Sequence, residues 1–363
     1  MTNRPVIQSS KYTGCLLGGA IGDALGAPIE FMSISQIRSQ FGAAGITGYV
    51  EEGGKGKFSD DTQMVLFTAE GLLRAHHRLV RGIGYGALFQ IVFHSYLRWL
   101  YTQGMKSSYG VDKERLWFNG WLIEEKGLYS VRDPGKTCIS SLKTGKYGSM
   151  KEPINDSKGC GGIMRIAPVG LFFNDPFKIG CEIAAITHGH PTGYLAAGCL
   201  ASIIDLVLNG ITLISAIEQT SQILSTYENH KECLDAINKA VEMSKTVKPT
   251  PENIEKLGAG FLAEEALAIS LYCALSYQDD FRKGVLAAVN HSGDSDTTGA
   301  ITGNILGTLL GEEAIPKEWA EGLELSGIVR RIASDLYDGI YVYPIGEYDS
   351  KSIQSWWSKY PMT

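Results

Sequence analysis

Apolar residues recur along this chain at three- and four-residue intervals far more often than at two. Residues 61–75 set Val65, Leu66, Ala69, Leu72 and Leu73 on one face, as a helix with one side in a core requires. The same spacing predicts helices over about 11–26, 85–101, 163–172, 178–187, 193–208, 213–225, 231–245, 261–277, 280–289, 297–310 and 322–337. Period-two alternation is scarce, and only Gly48-Tyr49-Val50 and residues 339–343 would make short strands. The expected fold is therefore all-α. The polar stretches 102–115, 126–158 and 246–260 read as loops inserted into it rather than joints between domains. One domain over residues 1–363 is expected, its core at about 11–340, with a short N-terminal extension and a C-terminal tail.

Glycine spacing adds geometry to this pattern. Gly14, Gly18, Gly22 and Gly26 fall four apart, and so do Gly299, Gly303 and Gly307. Each glycine inside a helix costs up to about 1 kcal/mol relative to alanine, so a row of them points to backbones packed too closely for a Cβ. The expectation is two glycine-faced helices at the centre of the fold. In a bilayer this spacing would mark a dimerisation face, but Asp23 and Glu30 interrupt the apolar run and no stretch reads as a membrane span.

Composition narrows the class further. Of 363 residues, 44% are hydrophobic and 20% charged, enough for a large core, and the net charge of −6 carries no basic stripe. Neither a nucleic-acid footprint nor a membrane-surface helix is expected. The opening MTNRPVIQSSKY lacks the apolar centre of a signal peptide. Seven cysteines, an odd number without metal-type pairs, fit reduced thiols, so a cytoplasmic protein is expected.

Two acidic clusters carry the candidate chemistry: Ser59-Asp60-Asp61-Thr62 and Gly293-Asp294-Ser295-Asp296-Thr297-Thr298. Each sits where a polar loop becomes a helical run, and one such cluster alone would be a helix cap. The second holds more acid than a cap needs, and like charges packed together are costly without a cation. Four carboxylates with interleaved hydroxyls form an all-oxygen set suited to Mg2+ or Mn2+, and brought together they would make a two-metal hydrolytic site. Asp23 is open between buried hydrogen-bonder and site member. Glu30, between apolar neighbours, is either a proton-transfer group or a solvated loop acid.

Three further segments are open to two readings. Gly159-Cys160-Gly161-Gly162 precedes a helical run, and its N–H groups suit a phosphate or diphosphate, with Arg165 pairing either a phosphate or a core acid. Thr187-His188-Gly189-His190 invites zinc, yet no Cys or Glu completes a set, and a ligand contact by His188 is favoured. His291 reads as support for the second acidic cluster. No nucleophile elbow is present, and Cys160 reads as structural or substrate-lining.

Together the motifs G-C-L-L-G-G-A-I-G-D-A-L-G-A-P-I-E-F, F-S-D-D-T-Q-M, G-C-G-G-I-M-R-I-A-P-V, T-H-G-H-P-T-G-Y and H-S-G-D-S-D-T-T-G-A-I-T-G-N resemble the ADP-ribosylglycohydrolases, from about Gly14 to Gly311. The resemblance implies an orthogonal helical bundle with a binuclear Mg2+ or Mn2+ centre held by Ser59, Asp60, Asp61, Asp294, Asp296 and Thr297. It implies hydrolysis of the bond between ADP-ribose and a protein side chain, with Asp61, Glu30 and Asp296 as the catalytic acids. Gly159, Cys160, Gly161, Gly162 and His188 would meet the substrate, as would Gly258, Gly260 and Phe261, the last standing where many members have Trp. Cys160 replaces an Asn found in many relatives, which favours ADP-ribosyl-arginine over serine-linked or O-acetyl-ADP-ribose. Some bacterial relatives are immunity proteins, so an ADP-ribosyltransferase toxin is a further partner class, met by hydrolysis or by capping its cleft. A two-metal phosphomonoesterase is the competing enzyme.

Overall fold

The computed structural model describes residues 8–84, 86–110, 117–173, 175–341 and 351–362. Its elements are helical, and among the described residues extended pairing is limited to two isolated bridges, Gly56 with Leu323 and Gly159 with Leu262. Every predicted helix has a counterpart, with ends displaced by a few residues; 297–310, for instance, becomes Ser295–Leu310.

The two glycine-faced helices, Ser9–Gly26 and Ser295–Leu310, lie against each other along their whole length. Gly14 faces Gly307, Gly18 faces Gly303 and Gly22 faces Gly299, so the two run antiparallel. At each crossing a Cβ would overlap a carbonyl of the opposing backbone, and only glycine permits this distance. The antiparallel register has a functional consequence. It sets the end of the first helix, Gly26 and Glu30 beyond it, against the start of the second at Asp294–Asp296.

The helix Asp60–Val80 packs on Leu88–Thr102 around a buried ion network. Glu70 takes Arg74 at 3.0 Å and Arg98 at 2.7 Å, all fully buried. Helices Pro176–Ala185, Pro191–Leu208 and Ala263–Ser276 complete the core behind the glycine pair. Pro191–Leu208 is long and apolar enough to cross a membrane, contrary to the sequence expectation of no such stretch. It lies inside the fold, 78% buried, because all its faces meet other helices.

Several expectations are corrected. Residues 48–50 form no strand; the Tyr49 hydroxyl instead donates to the Trp319 carbonyl at 3.0 Å. Residues 339–341 end the helix Ser326–Tyr341, and 342–343 lie outside the described residues. The helix expected over 163–172 is shortened to Ala167–Phe172, since Pro168 has no N–H to continue an earlier helix and fits the first turn of a new one. The stretches read as loops contain the helix Lys136–Lys143 and the single turn Pro251–Ile254. Helices Ile34–Phe41, Lys317–Gly322 and Lys351–Lys359 were also unforeseen. The C-terminal helix docks on the core: Trp357 stacks on His77 at 5.0 Å, and Trp356 meets His76 edge-on at 6.0 Å.

Candidate active site

The first acidic cluster forms the start of the Asp60–Val80 helix. Ser59 is its N-cap, its hydroxyl accepting from the Asp61 N–H at 3.2 Å. Two more backbone donors of that turn are taken by a residue from a different helix. Asp23 accepts from the Ser59 N–H at 2.8 Å, the Thr62 N–H at 3.0 Å and the Thr62 hydroxyl at 2.5 Å. Asp23 is thus the buried hydrogen-bonder, and it braces the turn from which Asp60 and Asp61 project.

The second cluster caps Ser295–Leu310. Asp294 accepts from the Thr297 N–H at 3.3 Å, and Asp296 accepts from the same group at 2.9 Å. The two clusters join directly: the Thr297 hydroxyl donates to Asp61 Oδ2 at 2.8 Å, and the Ser59 hydroxyl bonds Asp296. Carboxylate oxygens of Glu30, Asp294 and Asp296 all lie within 4.8 Å of one another. Asp60 Oδ2 accepts from the Gly135 N–H at 3.0 Å, tying a further loop to the cluster.

This density of acid is electrostatically unfavourable. Burial, then the charge of Asp296, raises Asp23 to about 7; burial raises Asp60 to about 8. Glu30 rises to about 10 through burial and the charges of Asp296, Asp294 and Asp60. Burial followed by Asp296 lifts Asp61 and Asp294 well above the carboxylate range, and burial lifts Asp296 itself. Among the described residues no lysine or arginine lines the cluster's floor, and the cation on the cavity wall, Lys136, is at the exposed rim. Hard oxygen donors in such excess are what a divalent cation neutralises.

A cavity of about 650 Å³ opens above the cluster. Of the residues named from sequence, Glu30, Asp60, Asp61, Asp294, Asp296 and Thr297 line it, with Gly159, Cys160, Gly161, His188 and Phe261 on its walls. Ser59, Gly162, Gly258 and Gly260 do not. Gly258 and Gly260, at φ 124° and 88°, instead shape the loop whose Ala259 and Gly260 N–H groups donate to Glu265 at 3.1 Å. That loop delivers Phe261, whose carbonyl accepts from the Cys160 N–H at 3.0 Å.

Other expectations are revised. Residues 160–162 form a single 3-10 turn and do not open a long helix. Arg165 pairs with no acid among the described residues and does not line the cavity: it is fully buried over the Tyr96 ring, 4.3 Å from its centroid, and donates to the Thr187 hydroxyl at 2.6 Å. His190 caps the helix Pro191–Leu208 by accepting from the Thr192 N–H at 3.1 Å. The ring of His291, buried, sits 3.0 Å from the Thr298 hydroxyl and supports the second cluster from behind. The Cys160 thiol donates to Asp294 at 2.9 Å, and burial with that carboxylate pushes it well above its ordinary value, which removes it as a nucleophile.

Sequence reasoning missed one wall altogether. Asp133, Pro134, Gly135, Lys136, Thr137 and Cys138 line the cavity from the Lys136 helix and its approach. It also missed Phe31, which adopts φ 66° and stacks on Phe261 with ring centroids 5.6 Å apart. The Pro134-Gly135 pair marked a turn, but nothing in its spacing connected it to the acids.

Fold and site together define an all-helical protein whose cleft is floored by two joined aspartate clusters. Residues 4–344 match the family model described as ADP-ribosylglycohydrolase, and the chain belongs to that family. Among its relatives is the ADP-ribosyl-[dinitrogen reductase] glycohydrolase of Rhodospirillum rubrum, 24% identical, covering 87% of this chain and 90% of that protein. Another is the ADP-ribosylarginine hydrolase Tri1 of Pseudomonas putida, 24% identical over 90% of this chain and 78% of the other. A solved structure titled "ADP-ribosylglycohydrolase-related protein complex" shares the fold, with a TM-score of 0.64, 24% identity and coverage of 91% of this chain and 98% of its own.

Proposed function

We propose that this protein is a metal-dependent hydrolase that releases ADP-ribose from modified protein side chains, with arginine the preferred linkage. The observation that carries the reading is the joining of the two acidic clusters on the floor of one cavity in a chain of this family. Ser59, Asp60, Asp61, Asp294, Asp296 and Thr297 would hold one or two Mg2+ or Mn2+ ions. When bound, such ions lower the pKa of a water and polarise substrate oxygens. The chain's own groups do the rest. Asp61 and Asp296, fixed by Thr297 and Ser59, orient the floor against which the ribose rests. Glu30 stands beside Asp294 and Asp296, its carboxyl raised in the cation-free site by burial and by their charges, and is placed to exchange a proton with the departing side-chain nitrogen. Gly159, Gly161 and His188 form the wall suited to the diphosphate.

Arginine linkage is supported by the relative named an ADP-ribosylarginine hydrolase and by Cys160 standing where many relatives carry Asn. The exposed acid Asp133 at the cavity adds charge complementary to a guanidinium. The test is a panel of arginine-linked, serine-linked and O-acetyl-ADP-ribose substrates at equal concentration. The expected result is fastest turnover of the arginine linkage; preference for either of the others overturns the linkage while leaving the reaction class.

A further inference from the structure

His188 is 1% exposed, lines the cavity and bears two nitrogens with different surroundings. Nδ1 lies 2.8 Å from the Thr187 hydroxyl. Nε2 has no protein partner among the described residues and faces the glycine turn, where a Cβ on Gly161 would come within 3.1 Å of it. Which nitrogen carries the proton decides whether that edge donates or accepts.

The answer follows from Arg165. A guanidinium has only donors, and its Nη2 donates to the Thr187 oxygen at 2.6 Å. The hydroxyl hydrogen of Thr187 is therefore directed elsewhere. Its acceptors are His188 Nδ1 and the Cys138 sulfur, and the sulfur is a weak acceptor already 3.4 Å from Arg165 Nη1. The imidazole nitrogen wins that competition. We infer that Thr187, held by Arg165, is a positioning residue that fixes His188 as the Nε2–H tautomer, presenting an uncharged N–H donor to an anionic ligand oxygen on the glycine turn.

Arg165 also acts one layer back. Burial, and secondarily its charge, hold His188 at about 3, so the ring stays neutral. Among the described residues no acid touches the ring or its Thr187 partner; the groups facing them are Arg165, Cys138 and the glycine turn. A neutral donor backed by a buried cation favours a diphosphate without an ion pair that would hold the product too tightly. The identity of the anion rests on the proposed ADP-ribose reading; the tautomer does not.

The test uses the full chain labelled with 15N-histidine, with His188 assigned by the H188Q variant and long-range 15N–1H correlation spectra recorded at pH 7. The expected wild-type pattern is a protonated Nε2 and an unprotonated, hydrogen-bonded Nδ1. Thr187→Val should convert it to a mixture of tautomers and weaken ADP-ribose binding about tenfold, and Thr187→Ser should restore both. A protonated Nδ1 or an imidazolium in wild type overturns the inference, as does an unchanged pattern in Thr187→Val. If Thr187→Val fails to fold, the wild-type and Thr187→Ser spectra decide. Failure of wild type to bind ADP-ribose would instead count against the proposed function, with the spectrum still reporting the tautomer.

Discussion

Thr297 donates its hydroxyl to Asp61 at 2.8 Å across a sequence separation of 236 residues, and through this bond the two acidic clusters become one site. Each helix start supplies acids for its own local reason. The antiparallel glycine pair sets Asp23 and Glu30 against the second cluster, and Asp23 in turn holds the first.

Replacing Asp61 with Asn should separate stability from activity. Asp61 is buried and repelled by Asp296, Asp23, Asp60 and Asp294, so an uncharged isostere relieves the cation-free protein. Without added metal the melting temperature is expected to rise by a few degrees, equivalent to about 1 kcal/mol or more. Hydrolysis should fall by at least about a thousandfold, as when an acid acting in the transition state is lost. Differential scanning calorimetry and a single activity assay check both.

Metal addition should reverse the electrostatic penalty. Mg2+ at a hundred times its Kd stabilises by about 2.7 kcal/mol if it binds only the folded state. EDTA should return the melting temperature to its starting value. Absence of any Mg2+- or Mn2+-dependent shift would contradict the assignment of the six oxygen ligands.

The sequence made the acidic floor legible because Asp60-Asp61 and Asp294-x-Asp296 exceed what capping needs, and the four-residue glycine spacing foretold the close helix pair but not its antiparallel register. The Lys136 wall was not legible. Its eight-residue helix is too short for periodicity to register, and Asp133 enters the cavity through a backbone at φ 43° that no local pattern announces. Phe31 was hidden for the same reason, its φ of 66° turning an apolar residue outward to 66% exposure. Arg165 misled because a lone arginine among apolar residues invites an anion, whereas its partners here are neutral: a threonine hydroxyl and a tyrosine face.

Glu70 should be a stability residue with a definite pH signature. Burial alone would raise its carboxyl, but the Arg74 and Arg98 guanidiniums outweigh that and hold it below its ordinary value. A lowered folded pKa contributes stability that is present above the unfolded value of about 4.3 and lost as pH falls through the folded value. Glu70→Gln leaves two buried guanidiniums poorly compensated and should cost about 3 kcal/mol at pH 7. In urea titrations the gap from wild type should narrow as pH drops below about 4.

The glycine pair predicts opposite outcomes for two chemically identical substitutions. Gly303→Ala drives a Cβ into the Gly18 carbonyl and should cost about 3 kcal/mol or more, or prevent folding. Gly327→Ala, in the helix Ser326–Tyr341, has nothing within 4 Å of its added Cβ and should be neutral or gain up to about 1 kcal/mol. Thermal melts of the two variants check the contrast.

The central claim is best tested by measuring ADP-ribose release from an arginine-ADP-ribosylated protein with Mg2+, with EDTA, and with the Asp61→Asn variant. The account predicts release with Mg2+ that EDTA and the substitution each abolish. Release that persists in EDTA, or none from arginine-, serine- or O-acetyl-linked ADP-ribose by a folded protein with Mg2+ present, would contradict it.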